Sequence, residues 1–166
     1  MNASARNLLL KRQTTSSGFT LIELMVTIAV LAIIVSIAAP NISTQLANQR
    51  VKSTVSLIEN ALKEAKAESV IRRQDIRVIY NISDIPRTIT LENSNTVLST
   101  YNINDESTIN ITPNTVTTVT FQPNRVISGD NEIVYSICDS SSSNETLGQV
   151  RVNKIAHIRT IHSGSC

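Results

Sequence analysis

Three successive patterns of apolar and polar residues run along the chain. Residues 19–39 are apolar almost throughout, residues 51–65 carry apolar side chains at every third or fourth position, and from residue 76 onward apolar and polar residues alternate in short segments. These patterns predict a hydrophobic helix, an amphipathic helix and β-strands, in that order. Because no helical crossover lies between the strands, antiparallel pairing is expected. The sequence therefore predicts an α+β fold with a long N-terminal helix packed on an antiparallel sheet.

The apolar run, Phe19–Ala39, contains one ionisable residue, Glu23, and is followed by Pro40. A helix rises about 1.5 Å per residue, so this run is long enough to cross the roughly 30 Å hydrocarbon core of a bilayer. A carboxylate inside such a span is costly, which indicates a functional partner for Glu23. A plain signal anchor that tolerates a glutamate near the membrane edge is the simpler alternative. Proline removes an amide donor, so we expect a kink at Pro40.

The second pattern predicts an amphipathic helix from about residue 42 to residue 73. Its apolar residues form one stripe, and charged residues lie between them. The stripe is only about three heptads long, so packing against the protein's own sheet is favoured over a coiled coil. The residues of the stripe are Val51, Val55, Ile58, Leu62 and Ala65.

Seven segments have the alternation and the β-branched residues of strands. The segment between the fifth and sixth of them, Asp139–Glu145, is predicted to be a polar, exposed loop. The predicted strands are Ile76–Ile82, Thr88–Leu91, Thr108–Ile111, Val116–Phe121, Ile133–Cys138, Gln149–Val152 and Ala156–Ile161.

The residues ahead of the apolar run carry a recognisable signal. Three basic residues precede the polar stretch that ends at Gly18, and this small residue comes before the apolar run rather than after it. An ordinary secretory signal has the opposite order. The sequence Gly18-Phe19-Thr20-Leu21-Ile22-Glu23-Leu24 resembles the class III signal of type IV prepilins and pseudopilins. The basic residues are Arg6, Lys11 and Arg12.

The resemblance implies that prepilin peptidase cleaves after Gly18 and that the new first residue, Phe19, is N-methylated. It also implies that Glu23 acts in filament assembly. The predicted organisation is a leader at residues 1–18, a transmembrane helix at 19–40 and a periplasmic pilin-like head at 41–166. The leader would be cytoplasmic, because basic residues before a span stay on that side of the bacterial inner membrane.

Removal of the leader changes the charge of the chain. The whole sequence has 15 basic and 13 acidic residues, a net charge of +2, and three of the basic residues lie in the leader. The processed chain would have 12 basic residues against 13 acidic ones. The positive charge of the precursor is therefore no indication of a nucleic-acid partner.

The two cysteines, Cys138 and Cys166, have alternative interpretations. In the cytosol they would stay reduced, whereas in a head exported to an oxidising periplasm we expect them to form a disulfide. Metal binding by these cysteines with His157 and His162 is conceivable, but the spacing is not that of a known ligand set. Motifs for hydrolases, metalloproteases and phosphate-binding loops are absent from the sequence. No enzymatic activity, metal or cofactor is predicted.

The last strands loosely resemble the GspH/FimT family of minor pseudopilins, some members of which contact DNA through a basic tail. The family's Gly and first Arg are replaced here by Ala156 and His157, while Arg159 keeps the second Arg. With Arg151 and Lys154, this residue could give weak, salt-dependent DNA binding. A structural strand with solvated charges is the favoured alternative.

The predicted function is that of a minor pilin or pseudopilin, a structural subunit of a type II secretion pseudopilus or a type IV pilus. Its expected partners are the inner membrane, prepilin peptidase, other pilins and the assembly platform. DNA capture in natural transformation is the competing hypothesis.

Overall fold

The structure is a computed structural model that describes residues 18–83, 85–94, 96–129, 132–142 and 144–166, without the side chains of residues 38–41. The chain divides into two compact units. The N-terminal unit ends at Ala38, and the second unit, the head, begins at Ala39. Within the described ranges the elements are one helix, α1 (Leu21–Arg72), and the strands β1 (Ile76–Asn81), β2 (Thr88–Glu92), β3 (Val97–Asn102), β4 (Ser107–Thr112), β5 (Thr118–Phe121), β6 (Ile133–Asp139), β7 (Thr146–Val152) and β8 (Ile158–Ser165).

The described part of the N-terminal unit begins at Gly18 and includes the first part of α1, whose apolar side chains are exposed. The large apolar residues from Leu21 to Ile37 are each at least half exposed. Its hydroxyl groups bond within the helix, as in the 2.8 Å bond from Thr27 Oγ1 to the Leu24 carbonyl. By length and composition, no single helix among the described residues meets the criteria for a membrane span, whereas the segments Leu21–Ile37 and Ile42–Arg72 meet them as a pair.

The part of α1 in the head buries the predicted stripe. All five of its residues, from Val51 to Ala65, are at most 1% exposed, which confirms the interpretation of the amphipathic pattern. The helix ends at Arg72, and Arg73 takes a left-handed conformation with φ of 54°. The Gln74 amide then donates to the Ser69 carbonyl at 3.3 Å, so the last turn is capped through the backbone.

The head contains two four-stranded sheets, with strand orders β3-β2-β1-β5 and β4-β6-β7-β8. Every strand pair in them is antiparallel, as predicted. Alternate residues face the core: Ile76, Val78 and Tyr80 of β1 are buried, while Arg77 between them is exposed. One continuous cluster of buried side chains includes residues of α1 and of both sheets. The helix therefore forms one wall of a core that the two sheets complete.

Strand β3 was not among the predicted strands. It lies at the edge of its sheet, and its residues are exposed or half-buried, so the sequence has no clear alternation there. The strand is tied to α1 through polar side chains: Ser99 Oγ and the Tyr101 hydroxyl both donate to the Glu64 carboxylate. The hydrogen bond to Glu64 and partial burial raise the pKa of Tyr101 to about 12. Polar contacts with a helix distant in sequence thus position this strand.

Gly148 of β7 packs closely against α1. A Cβ atom at this position would lie 2.5 Å from Val55 Cγ2 and 2.8 Å from Val51 Cγ1, and both valines are buried. We expect Gly148→Ala to lower the free energy of unfolding by about 1–3 kcal/mol, the usual cost of overpacking. Urea unfolding measures the change. In combination with Val55→Ala, the loss should be smaller than the sum for the single variants, and simple additivity would contradict the contact.

Candidate functional site

The predicted processing site lies at the start of the described chain. Gly18 and Phe19 are exposed, Phe19 by 77%, and no heavy atom of the described residues lies within 4 Å of where a Gly18 Cβ would be. Both residues precede α1 and are in irregular backbone. The leader residues Arg6, Lys11 and Arg12 lie outside the described residues. Cleavage after Gly18 and methylation of Phe19 remain predictions.

Glu23 lies in the first turn of α1, and its side chain is exposed. Its backbone amide is capped by Thr20 Oγ1 at 3.3 Å. A carboxylate in the first turn is favourably placed in the field of the helix dipole, since the positive end lies there. Among the ion pairs of the described residues, none involves Glu23. The functional partner expected for Glu23 and its role in filament assembly remain predictions. The side chain of Pro40 lies outside the description, and so the kink also remains a prediction.

Cys138 and Cys166 form the predicted disulfide. The sulfur atoms are 2.06 Å apart and the Cα atoms 5.9 Å apart. The bond joins the late part of β6 to the residue after β8, and the Cys166 amide donates to the Glu145 carbonyl at 3.3 Å. It therefore ties the last strand to the centre of its sheet. We call the group formed by Cys138, Cys166 and the side chain of Glu145 the C-terminal clasp.

The disulfide is expected to contribute substantially to stability. It closes a loop with a sequence separation of 28, and chain entropy assigns about 3–4 kcal/mol to a loop of that length. Replacing both Cys138 and Cys166 with serine should therefore lower the melting temperature by about 10 °C in a head of this size. Thermal unfolding by circular dichroism checks this. Equal melting temperatures for this variant and the oxidised wild-type chain would contradict it.

The loop after β6 is anchored by buried carboxylates. Asp139 and Glu145 are 4% and 1% exposed, so the prediction of an exposed loop was wrong at both ends, although Ser140 and Asn144 are exposed. Glu145 Oε1 accepts a hydrogen bond of 3.0 Å from the Asp139 amide. Asp139 turns inward because donors of Ser141 and Arg50 replace water at both of its carboxylate oxygens, whereas only one oxygen of Glu145 is hydrogen-bonded among the described residues. A polar run in the sequence does not reveal such compensation.

Arg50 of α1 joins the helix to this loop. Its guanidinium lies 2.6 Å from a Glu106 oxygen and 3.4 Å from Asp139 Oδ2, and it donates to Ser141 Oγ at 3.2 Å. Burial by itself would raise the pKa of Asp139. The hydrogen bonds from Ser141 and the Arg50 guanidinium outweigh burial and hold that pKa below its usual value. Asp139 is therefore an ionised anchor between the sheet and α1.

This anchor predicts a dependence of stability on pH. The pKa of Asp139 is lower in the folded chain than in the unfolded chain, so its contribution is present above the unfolded value near 3.8 and is lost as the pH falls through the folded value. Asp139→Asn should lower the free energy of unfolding at pH 7. In this variant, the free energy of unfolding should also decrease less than in the wild type as the pH falls below about 4. Urea titrations at both pH values test this, with exposed Asp75→Asn as the control. An unchanged pH profile in Asp139→Asn would contradict it.

The basic residues proposed for DNA contact do not form a single patch of free cations. Arg151 and Arg159 lie directly opposite each other on β7 and β8. Arg151 also lies 3.7 Å from Glu132 and donates to Gln149 at 3.1 Å. Lys154 lies in the turn between the strands. Glu132 could not be recognised from the sequence as a partner of Arg151, because the two residues are far apart in the chain and the pairing of β6 with β7 brings them together.

Comparison with known proteins gives two kinds of match. Residues 14–39 match the prokaryotic N-terminal methylation motif. Two crystal structures of the type IV minor pilin FimU from Pseudomonas aeruginosa resemble the chain. One is 17% identical, covers 69% of this chain and 98% of its own, and has a TM-score of 0.58. The other is 16% identical, covers 71% and 96%, and has a TM-score of 0.61.

No curated protein gives a significant match to the sequence. The two findings concern different parts of the molecule: one is a short motif at the N-terminus and the other is the fold of most of the chain. The chain therefore combines a prokaryotic N-terminal methylation motif with the α+β fold of a type IV minor pilin.

Proposed function

We propose that this chain is a minor pilin, a structural subunit that prepilin peptidase processes after Gly18 and that assembles into a filament. One observation carries the proposal. The methylation motif, residues 14–39, includes the exposed apolar part of α1, and the same helix continues into a head with the fold of FimU. A signal anchor explains the apolar helix but not the combination of motif and fold.

The exposed apolar surface of the N-terminal unit defines what the subunit needs from its surroundings. Side chains such as Leu21, Leu31 and Ile37 are more than half exposed. Burial of such surface is worth about 25 cal/mol per Å², so the helix needs either lipid or other apolar helices around it. We infer that it lies in the inner membrane before assembly and among the helices of neighbouring subunits afterwards.

Glu23 provides a charged group that can pair with a neighbouring subunit during this assembly. Cleavage after Gly18 would create an amine on Phe19, and a charged amine inside an apolar filament core is costly unless it is paired. The carboxylate of Glu23 is the ionisable group of the apolar run and is exposed, so it can meet the amine of a neighbouring subunit. Each added subunit would therefore satisfy one buried charge of the subunit before it.

The disulfide supports export of the head. Disulfides persist in oxidising compartments such as the periplasm. In the sequence, the basic leader precedes the apolar run, whereas the two cysteines of the disulfide follow it. Basic residues before the apolar run would keep the N-terminus in the cytoplasm. The proposed location is the bacterial inner membrane, crossed once, with the head in the periplasm.

The resemblance to FimU favours a type IV pilus over a secretion pseudopilus. The competing DNA-uptake hypothesis gains no support from the comparisons, and its residue Arg151 already has protein partners. Prepilin peptidase, other pilins and the assembly platform are the proposed partners.

Recovery of the chain in filaments tests the proposal. Filaments sheared from cells that express the full-length chain should contain it at low abundance beside the major subunit. Cells without prepilin peptidase should retain it in the membrane fraction. Its absence from filaments in cells with an active peptidase would contradict the proposed function.

A further inference from the structure

The C-terminal clasp brings together three groups that commonly bind metals. The two sulfur atoms of Cys138 and Cys166 and a carboxylate oxygen of Glu145 all lie within 4.8 Å of one another. In the oxidised chain the sulfurs bond to each other, so their lone pairs are poor ligands. Reduction would turn the same atoms into a site with two thiolates and one carboxylate, the donor types that Zn²⁺ accepts.

Glu145 provides an independent indication of a ligand. Its side chain is 1% exposed, and its Oε2 atom has no hydrogen-bond partner among the described residues. Buried carboxylate oxygens are rarely left in this state, because an unpaired buried acceptor costs about 1–3 kcal/mol or more. The other oxygen is held by the Asp139 amide at 3.0 Å, so the carboxylate is already oriented. A cation at the clasp would satisfy the unpaired oxygen.

We propose that the reduced clasp binds one Zn²⁺ or similar soft divalent cation through the thiolates of Cys138 and Cys166 and the carboxylate of Glu145. A dithiol reductant breaks the S–S bond, supplies two electrons and two protons, and is itself oxidised to a disulfide. The cation then displaces both thiol protons to solvent. The bound metal then links β6 to the end of β8 in place of the disulfide.

The geometry allows this exchange with a small movement. Zn–S bonds of about 2.3 Å in a tetrahedral site require the sulfurs to lie about 3.8 Å apart. The Cα separation of 5.9 Å between Cys138 and Cys166 leaves room for this distance. Cys166 follows β8 and is exposed, so its side chain can move. A water molecule would complete the tetrahedral set as the fourth ligand.

Cobalt titration of the full-length chain in detergent tests the proposal. After anaerobic reduction and removal of the dithiol, we expect one equivalent of Co²⁺ to give thiolate-to-cobalt charge-transfer absorption that Zn²⁺ abolishes. The oxidised chain should give none. Glu145→Gln should weaken binding at least tenfold, on the order of what loss of metal-site partners costs. Exposed Glu132→Gln serves as the matched control and should leave the affinity unchanged.

Three results would overturn the proposal: no charge-transfer band in the reduced chain, equal affinity in Glu145→Gln and wild type, or unfolding on reduction that metal does not reverse. Circular dichroism of the oxidised Glu145→Gln chain verifies its fold. If this variant fails to fold, X-ray absorption of the wild-type zinc complex decides. Two sulfur and two oxygen ligands are expected, and any other sulfur count rejects the site.

Discussion

Glu23→Val should leave the chain in the membrane but reduce its recovery in filaments more than about 100-fold. The substitution removes the proposed partner of the Phe19 amine. Loss of one member of a buried ion pair typically costs about 3–5 kcal/mol, and each 1.4 kcal/mol changes an equilibrium tenfold. With valine at position 23, the run from Phe19 to Ala39 contains no ionisable side chain, so insertion into the bilayer should not be impaired. Immunodetection in sheared filament and membrane fractions measures both effects.

Two variants of the same helix make this test specific. Glu23→Asp keeps the charge with a shorter reach, so its incorporation should be intermediate. Thr27→Val removes a hydroxyl that donates to the Leu24 carbonyl within the helix, so it should assemble as the wild type does. Equal recovery of Glu23→Val and Thr27→Val would remove the proposed role of the carboxylate.

Gly18→Val should block processing almost completely. No atom of the described residues lies within 4 Å of where a Cβ atom would be added at Gly18, so the substitution should not disturb the fold of the head. The peptidase must approach the backbone at the cleaved bond, and a branched side chain would intrude there. We expect the variant to accumulate as the uncleaved precursor in the membrane fraction. Electrophoretic mobility and N-terminal sequencing measure the uncleaved fraction.

The variant Thr27→Val is also the control for processing, because it lies in the same helix but away from the cleaved bond. It should be cleaved normally. Efficient cleavage of Gly18→Val beside this control would show that the small residue is not what the peptidase selects.

Helical periodicity predicted the part of α1 in the head well. The stripe from Val51 to Ala65 is buried, and α1 ends at Arg72, one residue before the predicted limit. Both outcomes follow from local rules: the apolar spacing sets the buried face, and the left-handed Arg73 ends the helix. The disulfide was also predictable once the resemblance had placed the head outside the cytosol.

Features that depend on contacts distant in sequence were not predictable. Strand β3 is fixed by Ser99 and Tyr101 binding to Glu64, and the sequence gives no sign of that contact. The buried Asp139 and Glu145 belong to a segment whose composition is typical of an exposed loop. Arrangement in space, rather than local composition, decides which carboxylates are buried and which donors they contact.

The most direct test of the central claim is the intact mass of the wild-type chain from membranes of a strain with active prepilin peptidase. We expect a chain that begins at Phe19 and carries one extra methyl group, and a full-length precursor in the same strain without the peptidase. A chain that still begins at Met1 in the presence of the peptidase would rule out processing as a pilin.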